Sequence, residues 1–431
     1  MICVVGAGLA GSECAWQLAQ MGFEVELIEM RPIENTPAHK TEKFAELVCS
    51  NSFGSMSVTS ATAQLKWEAE KLGSLILQSA KKAYVPAGQA LGVDREQFSE
   101  FVTKAIHEHP RIKISKRAVN SLDELPRPCV IATGPLTSPG LSESMQAHFG
   151  GDFLYFFDAI APIIDTDSIN MDIAWKADRY DKGTPDYINC PLEKNHYNQL
   201  IEEITKARKI EPKHFEITPF FEGCMPIEVM VERGFQTLRF GPMKPVGLTN
   251  PRTGRYPFAA VQLRQDNKEG TAYNMVGFQT RMAYGEQERI FRMIPGLENA
   301  EFLKLGSMHR NLFINTPLLL NRNLSSKKDP GLFFAGQITG VEGYFESTCI
   351  GLLVAHFVKQ QIRGEVHSEP PRQTALGSLL ESITDETRAA HFQPTNINFS
   401  LFPHMEIINK DKAQRKQNQV DLAQKSFSSW M

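Results

Sequence analysis

Residues 2–6 (ICVVG) form a short apolar run, the pattern of a buried strand. The run enters Gly6-Ala7-Gly8-Leu9-Ala10-Gly11. The next stretch, SECAWQLAQMG, has helical periodicity, and EVELIEM reads as a second strand ending at Glu29. Residues 60–83 (within them TAQLKWEAEKLGSLILQSAKK) read as helical, and ALGVDREQFSEFVTKAIHEH as a further strand–helix step. RIKISKRAV is a strand candidate, and PCVIATG (128–134) is an apolar strand ending in Thr133-Gly134. Between about 150 and 300 the texture changes: aromatic-rich strand candidates, FLYFFDAIAPII and TAYNMVGFQT, alternate with one clear helix, NHYNQLIEEITKARK. GLFFAG (331–336) then returns to the buried-strand pattern, followed by a glycine-punctuated turn and the helix ESTCIGLLVAHFVKQQIR. The last 60 residues hold helices and a polar, basic tail, KDKAQRKQNQ.

Length and composition narrow the class. At 431 residues, 42% hydrophobic and 22% charged, with mean hydropathy −0.27, the chain is expected to be globular, with two domains or one domain carrying an insertion. No apolar run approaches the roughly 18 residues of a membrane span, so no membrane association is expected. The apolar start lacks a basic leader and is not read as a signal peptide. Seven scattered cysteines without a C-x-x-C pair predict neither a disulfide framework nor a metal site, and favour a reducing, cytoplasmic setting. A net charge of −3 leaves no global basic field, so a polyanion partner has to be met by a local patch.

The glycine sequence at 6–11 matches G-x-G-x-x-G between a strand and a helix, where backbone N–H groups and a helix N-terminus meet a pyrophosphate. Gly6, Gly8 and Gly11 are therefore cofactor-binding candidates. Glu29, 18 positions after Gly11, is placed to accept from ribose hydroxyls. Two further glycine stretches, CVIATGPLTS and GLFFAGQITGVEGY, read as strand ends turning toward the same elongated ligand, which adds Gly134, Gly336, Gln337, Gly340 and Gly343. With no second complete dinucleotide fingerprint, FAD is the favoured bound cofactor and NAD(P)H a transient one.

Two thiols stand apart. Cys49 (ELVCSNSF) and Cys224 (FEGCMPIE) lie among polar or turn-forming residues, whereas Cys3, Cys129 and Cys349 sit in apolar runs where cysteine acts as a small hydrophobe. A loop thiol becomes a nucleophile with a base or cation nearby, and Glu222, Glu228 and Lys244 are the sequence candidates. The adjacent His309 and Arg310 offer a titratable group beside a fixed cation. Arg239, Lys244, Arg252, Arg255 and Arg264, interleaved with Phe240, Tyr256 and Phe258, read either as a solvated face or as a surface for RNA phosphates and bases.

Taken together, GAGLAGSE, IEMRP, FAELVCSNS, LKWEAEKLGSLI, DREQF, TGPLTS, YFFDAIAP, INCP, FEGCMPIE, TLRFGPMKPVGL, VGFQT, RMIPGLENAEF, MHRN, FAGQITGVEGYFES and NINFSLFP resemble, nearly end to end, the folate- and FAD-dependent tRNA (uracil-5-)-methyltransferases (TrmFO). The larger, related MnmG flavoproteins share the glycine motifs but carry a longer C-terminal helical region. The resemblance implies an α/β fold: a glutathione-reductase-like FAD-binding Rossmann domain from 1–150 and 301–431, the latter with the C-terminal helices, and an inserted α+β domain over 151–300 on the RNA side. It implies transfer of a one-carbon unit from 5,10-methylenetetrahydrofolate to C5 of the T-loop uridine of tRNA, with NAD(P)H as reductant and the flavin as both carbon carrier and reductant. Cys224 matches the family's nucleophile, which adds to C6 of uracil. Cys49 matches its second functional thiol, as a general base or as a guard of the one-carbon intermediate. Gln89, Thr348, Cys349, His356 and Ser400 depart from the family pattern, and a ribosomal-RNA uridine is an alternative target. The rival readings are a flavin oxidoreductase of small molecules and a non-catalytic, FAD-bound RNA-binding protein.

Overall fold

The computed structural model describes residues 1–36, 38–151, 154–181, 184–210, 225–404 and 411–431. Ile2–Val5 is the middle strand of a five-stranded sheet in which all pairs are parallel. Its order is Leu332–Phe334, Cys129–Ile131, Ile2–Val5, Val25–Glu29, Ile112–Lys116. All four residues of Ile2–Val5 are buried, as expected of a strand covered on both faces. The chain leaves Ile2–Val5 for Val25–Glu29 on one side and later fills the other side with Cys129–Ile131. That reversal of direction is where open parallel sheets bind ligands, beyond the carboxyl ends of the strands.

A second, six-stranded antiparallel sheet runs in the order Trp175–Lys176, Tyr187–Leu192, Ala259–Gln265, Ala272–Met275, Ile163–Asp165, Phe302–Lys304. The helix Lys194–Lys206 buries Tyr197, Leu200, Ile201 and Ile204, at the i, i+3, i+4, i+7 spacing of one helix face. The buried apolar side chains form two main clusters. One draws on Ile2 to Phe149 and Leu312 to Phe427, the other on Ile164 to Ala300. Leu154–Ala159 and Met308–Phe313 form a separate antiparallel pair whose register sets His309 opposite Asp158.

Three local expectations are modified. The helix read over 60–83 is two helices, Ala61–Lys71 and Leu75–Lys82. Gly73 turns at φ +72° between them, and the Ser74 side chain caps the second. The FLYFFDAIAPII run supplies strands to two different sheets, Leu154–Ala159 and Ile163–Asp165. The basic tail is mostly helical: Lys412–Trp430 buries Val420, Ala423 and Phe427, and Phe427 meets Trp67 edge-on at 5.8 Å.

Candidate cofactor and thiol site

Three turns converge at the carboxyl edge of the parallel sheet around a cleft of about 1060 Å³, counted with its open mouth. Gly6 and Gly8 come from the first strand, Thr133 and Gly134 from the strand Cys129–Ile131, and Ala335, Gly336 and Gln337 from the returning strand Leu332–Phe334. Gly6 has φ +98°, and a Cβ there would lie 2.7 Å from the Ala132 carbonyl oxygen, so only glycine fits. A Cβ on Gly11 would overlap the Gly6 carbonyl, which lets the helix Leu9–Gln20 seat directly on the turn. Gly8 differs: a Cβ there meets no protein atom within 4 Å, and the same holds at Gly134. Gly8 is also the N-cap of Leu9–Gln20, and no side chain caps that helix. Two open glycine faces and an uncapped helix N-terminus over one elongated cleft fit the pyrophosphate of a dinucleotide such as FAD.

Glu29 lines the cleft at the end of its strand. One carboxylate oxygen accepts the Ala7 N–H at 2.8 Å; the other accepts the Arg31 N–H at 3.1 Å and Arg31 Nε at 2.9 Å. Burial pushes this carboxyl up, but the Arg31 guanidinium and these hydrogen bonds outweigh it, and the net direction is downward. Glu29 is thus an anchored anion beside the turn.

The other glycine candidates stand apart from the cleft wall. A Cβ on Gly340 would run into the Phe392 ring, and one on Gly343 into the Glu346 carboxylate. Gly343 nevertheless starts the helix Tyr344–Arg363, and Tyr344 and Ser347 of that helix do line the cleft. Arg31, Arg117 and Tyr344 are lining residues that sequence reasoning did not single out. Only Arg31 carried a signal, as a cation two positions after the strand-ending carboxylate.

Cys49 is half-buried and adjoins this cleft: its neighbour Val48 lines the cleft, and its own N–H donates at 2.7 Å to Oη of Tyr344, another lining residue. Its carbonyl accepts Arg95 Nη2 at 2.9 Å. The Cys49 sulfur is within electrostatic reach of Arg95, Arg264 and Lys304. Burial, then Arg95 and Lys40, bring the Lys304 amine down to about 8. The remaining described cysteines are buried, and burial pushes Cys3 up to about 12 and Cys129 to about 11.

Cys224 and Glu222 lie outside the described residues. Just beyond them Met225 is buried, and Pro226 is the N-cap of the short helix Ile227–Glu232. Glu228 is buried and accepts from the Thr280 hydroxyl and the Arg281 N–H, so its carboxylate is turned into this packing.

The cation run at 239–264 divides. Lys244 and Arg255 are exposed, beside Phe240 (75% exposed) and Tyr256 (54%). Arg239 lies 4.2 Å over the Phe258 ring and donates to the Phe258 carbonyl at 2.8 Å. The Arg252 guanidinium spans the carbonyls of Met171, Ile173 and Ala174. Arg264 points the opposite way, donating to Asn51 Oδ1 at 3.1 Å and Ser50 Oγ at 3.4 Å, beside Cys49. The departures from the family pattern sit away from the cleft wall. Gln89 and Ser400 are exposed, His356 is 6.4 Å from the Trp430 ring of the tail helix, and Thr348 donates to its own helix at Tyr344 O.

Among the described residues, no helix is long and apolar enough to cross a membrane. Residues 1–366 match the family model described as glucose inhibited division protein A. A protein of Bdellovibrio bacteriovorus named methylenetetrahydrofolate–tRNA-(uracil-5-)-methyltransferase TrmFO is 70% identical over 429 residues, covering 100% of this chain and 98% of its own. A protein of the same name from Aquifex aeolicus is 50% identical over 430 residues, covering 100% of this chain and 96% of its own. Among solved structures, Aquifex aeolicus GidA in its form I crystal superposes with a TM-score of 0.68 at 16% identity, over 99% of this chain and 76% of that one. That likeness is one of fold. The sequence matches establish that the chain belongs to the glucose inhibited division protein A family and, within it, to the TrmFO group.

Proposed function

We propose that this protein is a methylenetetrahydrofolate- and FAD-dependent tRNA (uracil-5-)-methyltransferase, forming 5-methyluridine at the T-loop uridine in the cytoplasm, with NAD(P)H as reductant. The observation that carries the reading is the attachment of the Cys49 loop to the dinucleotide cleft through Val48 and Tyr344, in a chain this similar to proteins of that name. The reading divides the chain into a cofactor domain (1–150 and 301–431) and an RNA-facing insertion (151–300).

Bound FAD supplies redox and one-carbon chemistry that no amino-acid side chain has. The chain's own groups hold it: the N-terminus of Leu9–Gln20 and the open faces at Gly8 and Gly134 meet the pyrophosphate, and Glu29 meets the ribose. C5 of uracil is a poor nucleophile until a soft nucleophile adds at C6. Cys224 takes that part, as a thiolate forming an S–C6 bond that breaks again when the C5=C6 double bond is restored. Cys49, joined to the cleft through Val48 and Tyr344, takes the C5 proton. Exposed Lys244 and Arg255, with Phe240 and Tyr256, receive the RNA.

The test supplies purified holoprotein with methylenetetrahydrofolate labelled in its methylene, NAD(P)H, and unmodified tRNA or ribosomal RNA transcripts, followed by nucleoside mass analysis. Label in 5-methyluridine from tRNA is the expected result. Label from ribosomal RNA alone moves the target, and no label from either, with reducible flavin bound, ends the methyltransferase reading.

A further inference from the structure

The segment from Leu47 to Ser50 lies in neither helix nor strand, yet its main chain is held from several sides. Such a loop takes its position from whatever satisfies its polar groups. Arg95 Nη1 donates to the Leu47 carbonyl at 2.9 Å, and Nη2 to the Cys49 carbonyl at 2.9 Å. Lys304 Nζ, at the end of the edge strand Phe302–Lys304, donates to the Val48 carbonyl at 2.9 Å.

The same Arg95 guanidinium reaches the antiparallel sheet. Nε lies 3.0 Å from Asp266 Oδ2 and Nη2 2.9 Å from Asp266 Oδ1, a two-pronged pair between residues 171 positions apart. Asp266 belongs to the turn between Ala259–Gln265 and Ala272–Met275, and neighbouring contacts fasten that turn further. Buried Asn51 donates to the Gln265 carbonyl at 2.9 Å and the Val93 carbonyl at 3.1 Å. Asp94, the N-cap of the helix Arg95–Glu108, accepts the Lys268 N–H at 2.9 Å. The string DREQF therefore has a physical role: its first two residues join the helix, the cysteine loop and the turn of the other sheet.

We propose that Arg95, held by Asp266, is a positioning residue for the Cys49 thiol, setting the cysteine loop relative to the antiparallel sheet. Its consequence for methyl transfer rests on the reading of Cys49 as a functional thiol; its consequence for the thiol itself does not. A planar fork is required, because one cation has to serve two carbonyls and both oxygens of a carboxylate. A lysine keeps the charge and loses that geometry.

The experiment uses full-length holoprotein and three variants: Arg95→Lys, the near-isosteric Asp266→Asn, and Lys81→Gln, which breaks a surface pair with Glu70. Iodoacetamide labelling of Cys49 is followed by peptide mass analysis, together with flavin content, melting temperature, and kcat and KM for tRNA. Arg95→Lys and Asp266→Asn are expected to change the Cys49 alkylation rate about tenfold and to lower kcat at least as much, with flavin content and tRNA KM at wild-type values and Lys81→Gln unaffected. Cys49 alkylation at the wild-type rate in folded Arg95→Lys and Asp266→Asn overturns the proposal. Should Arg95→Lys fail to fold, Asp266→Asn decides alone. Full methyl transfer by Cys49→Ala would instead end the functional reading of Cys49, and the alkylation rates would still decide the role of Arg95.

Discussion

Glu29 reaches back 22 positions to accept the Ala7 N–H at 2.8 Å, so the end of the second strand holds the glycine turn that follows the first. The same carboxylate is locked to Arg31 on its other oxygen, which keeps it ionised and fixed before any ligand arrives. Glu29→Gln places an amide against the Arg31 guanidinium and removes the anion. We expect FAD affinity to fall roughly 10- to 100-fold, the equivalent of losing one charge-assisted hydrogen bond. Fluorescence titration of the apoprotein with FAD checks this, and unchanged affinity would assign Glu29 to holding the turn alone.

The glycines of the turn should separate into two classes. At Gly8 a side chain meets no protein atom, whereas at Gly11 it overlaps the Gly6 carbonyl. Gly8→Val is therefore expected to fold with near-normal secondary structure and to purify with little flavin. Gly11→Val should be poorly soluble or melt far lower, because helix and turn can no longer touch. Circular dichroism and the flavin-to-protein absorbance ratio distinguish the two outcomes, and equal behaviour of the pair would refute the assignment.

Buried Lys66 yields a pH dependence. Its amine donates to the carbonyls of Ser55 and Thr62, and burial, opposed by Glu346 and Cys349, lowers it to about 8. The unfolded chain binds this proton more tightly than the folded one. The contribution to stability is therefore present above about pH 10.5 and is lost as pH falls through 8. Over that window wild type should gain roughly 3 kcal/mol relative to Lys66→Met. Urea unfolding of both proteins at pH 7 and pH 10 tests it, and a difference between them that does not move with pH excludes the mechanism.

How much of this was legible beforehand follows the range of the interactions. Gly6, Gly8, Gly11 and Glu29 were readable because a strand, a turn, a helix and a second strand in immediate succession leave few geometries. Arg95 and Asp266 were not, because sequence patterns carry no record of a contact spanning 171 positions. Arg264 looked like part of a basic run with Arg255. Arg255 precedes the strand Ala259–Gln265 whereas Arg264 lies within it, and its guanidinium reaches Asn51 and Ser50 at the Cys49 loop instead. The helix read across 60–83 broke at Gly73, where a positive φ and a serine cap outweighed the apolar periodicity.

The basic run makes its own test of which cations meet RNA. Lys244 and Arg255 are exposed beside two exposed aromatic rings, whereas Arg252 and Arg264 spend their guanidinium groups on protein oxygens. A phosphate contact releases counterions, so losing one lowers the steepness of log K against log salt by just under about 1. Lys244→Gln and Arg255→Gln should each weaken tRNA binding and flatten that slope while the melting temperature stays put. Phe240→Ala should weaken binding by about 1 kcal/mol with the slope unchanged, because stacking on a base carries no counterion release. Arg252→Ala and Arg264→Ala should do the reverse, lowering the melting temperature and leaving the slope near the wild-type value. Equal salt slopes for all four cation variants would show that RNA enters across another surface, leaving the exposed pair and its aromatic neighbours as a solvated face.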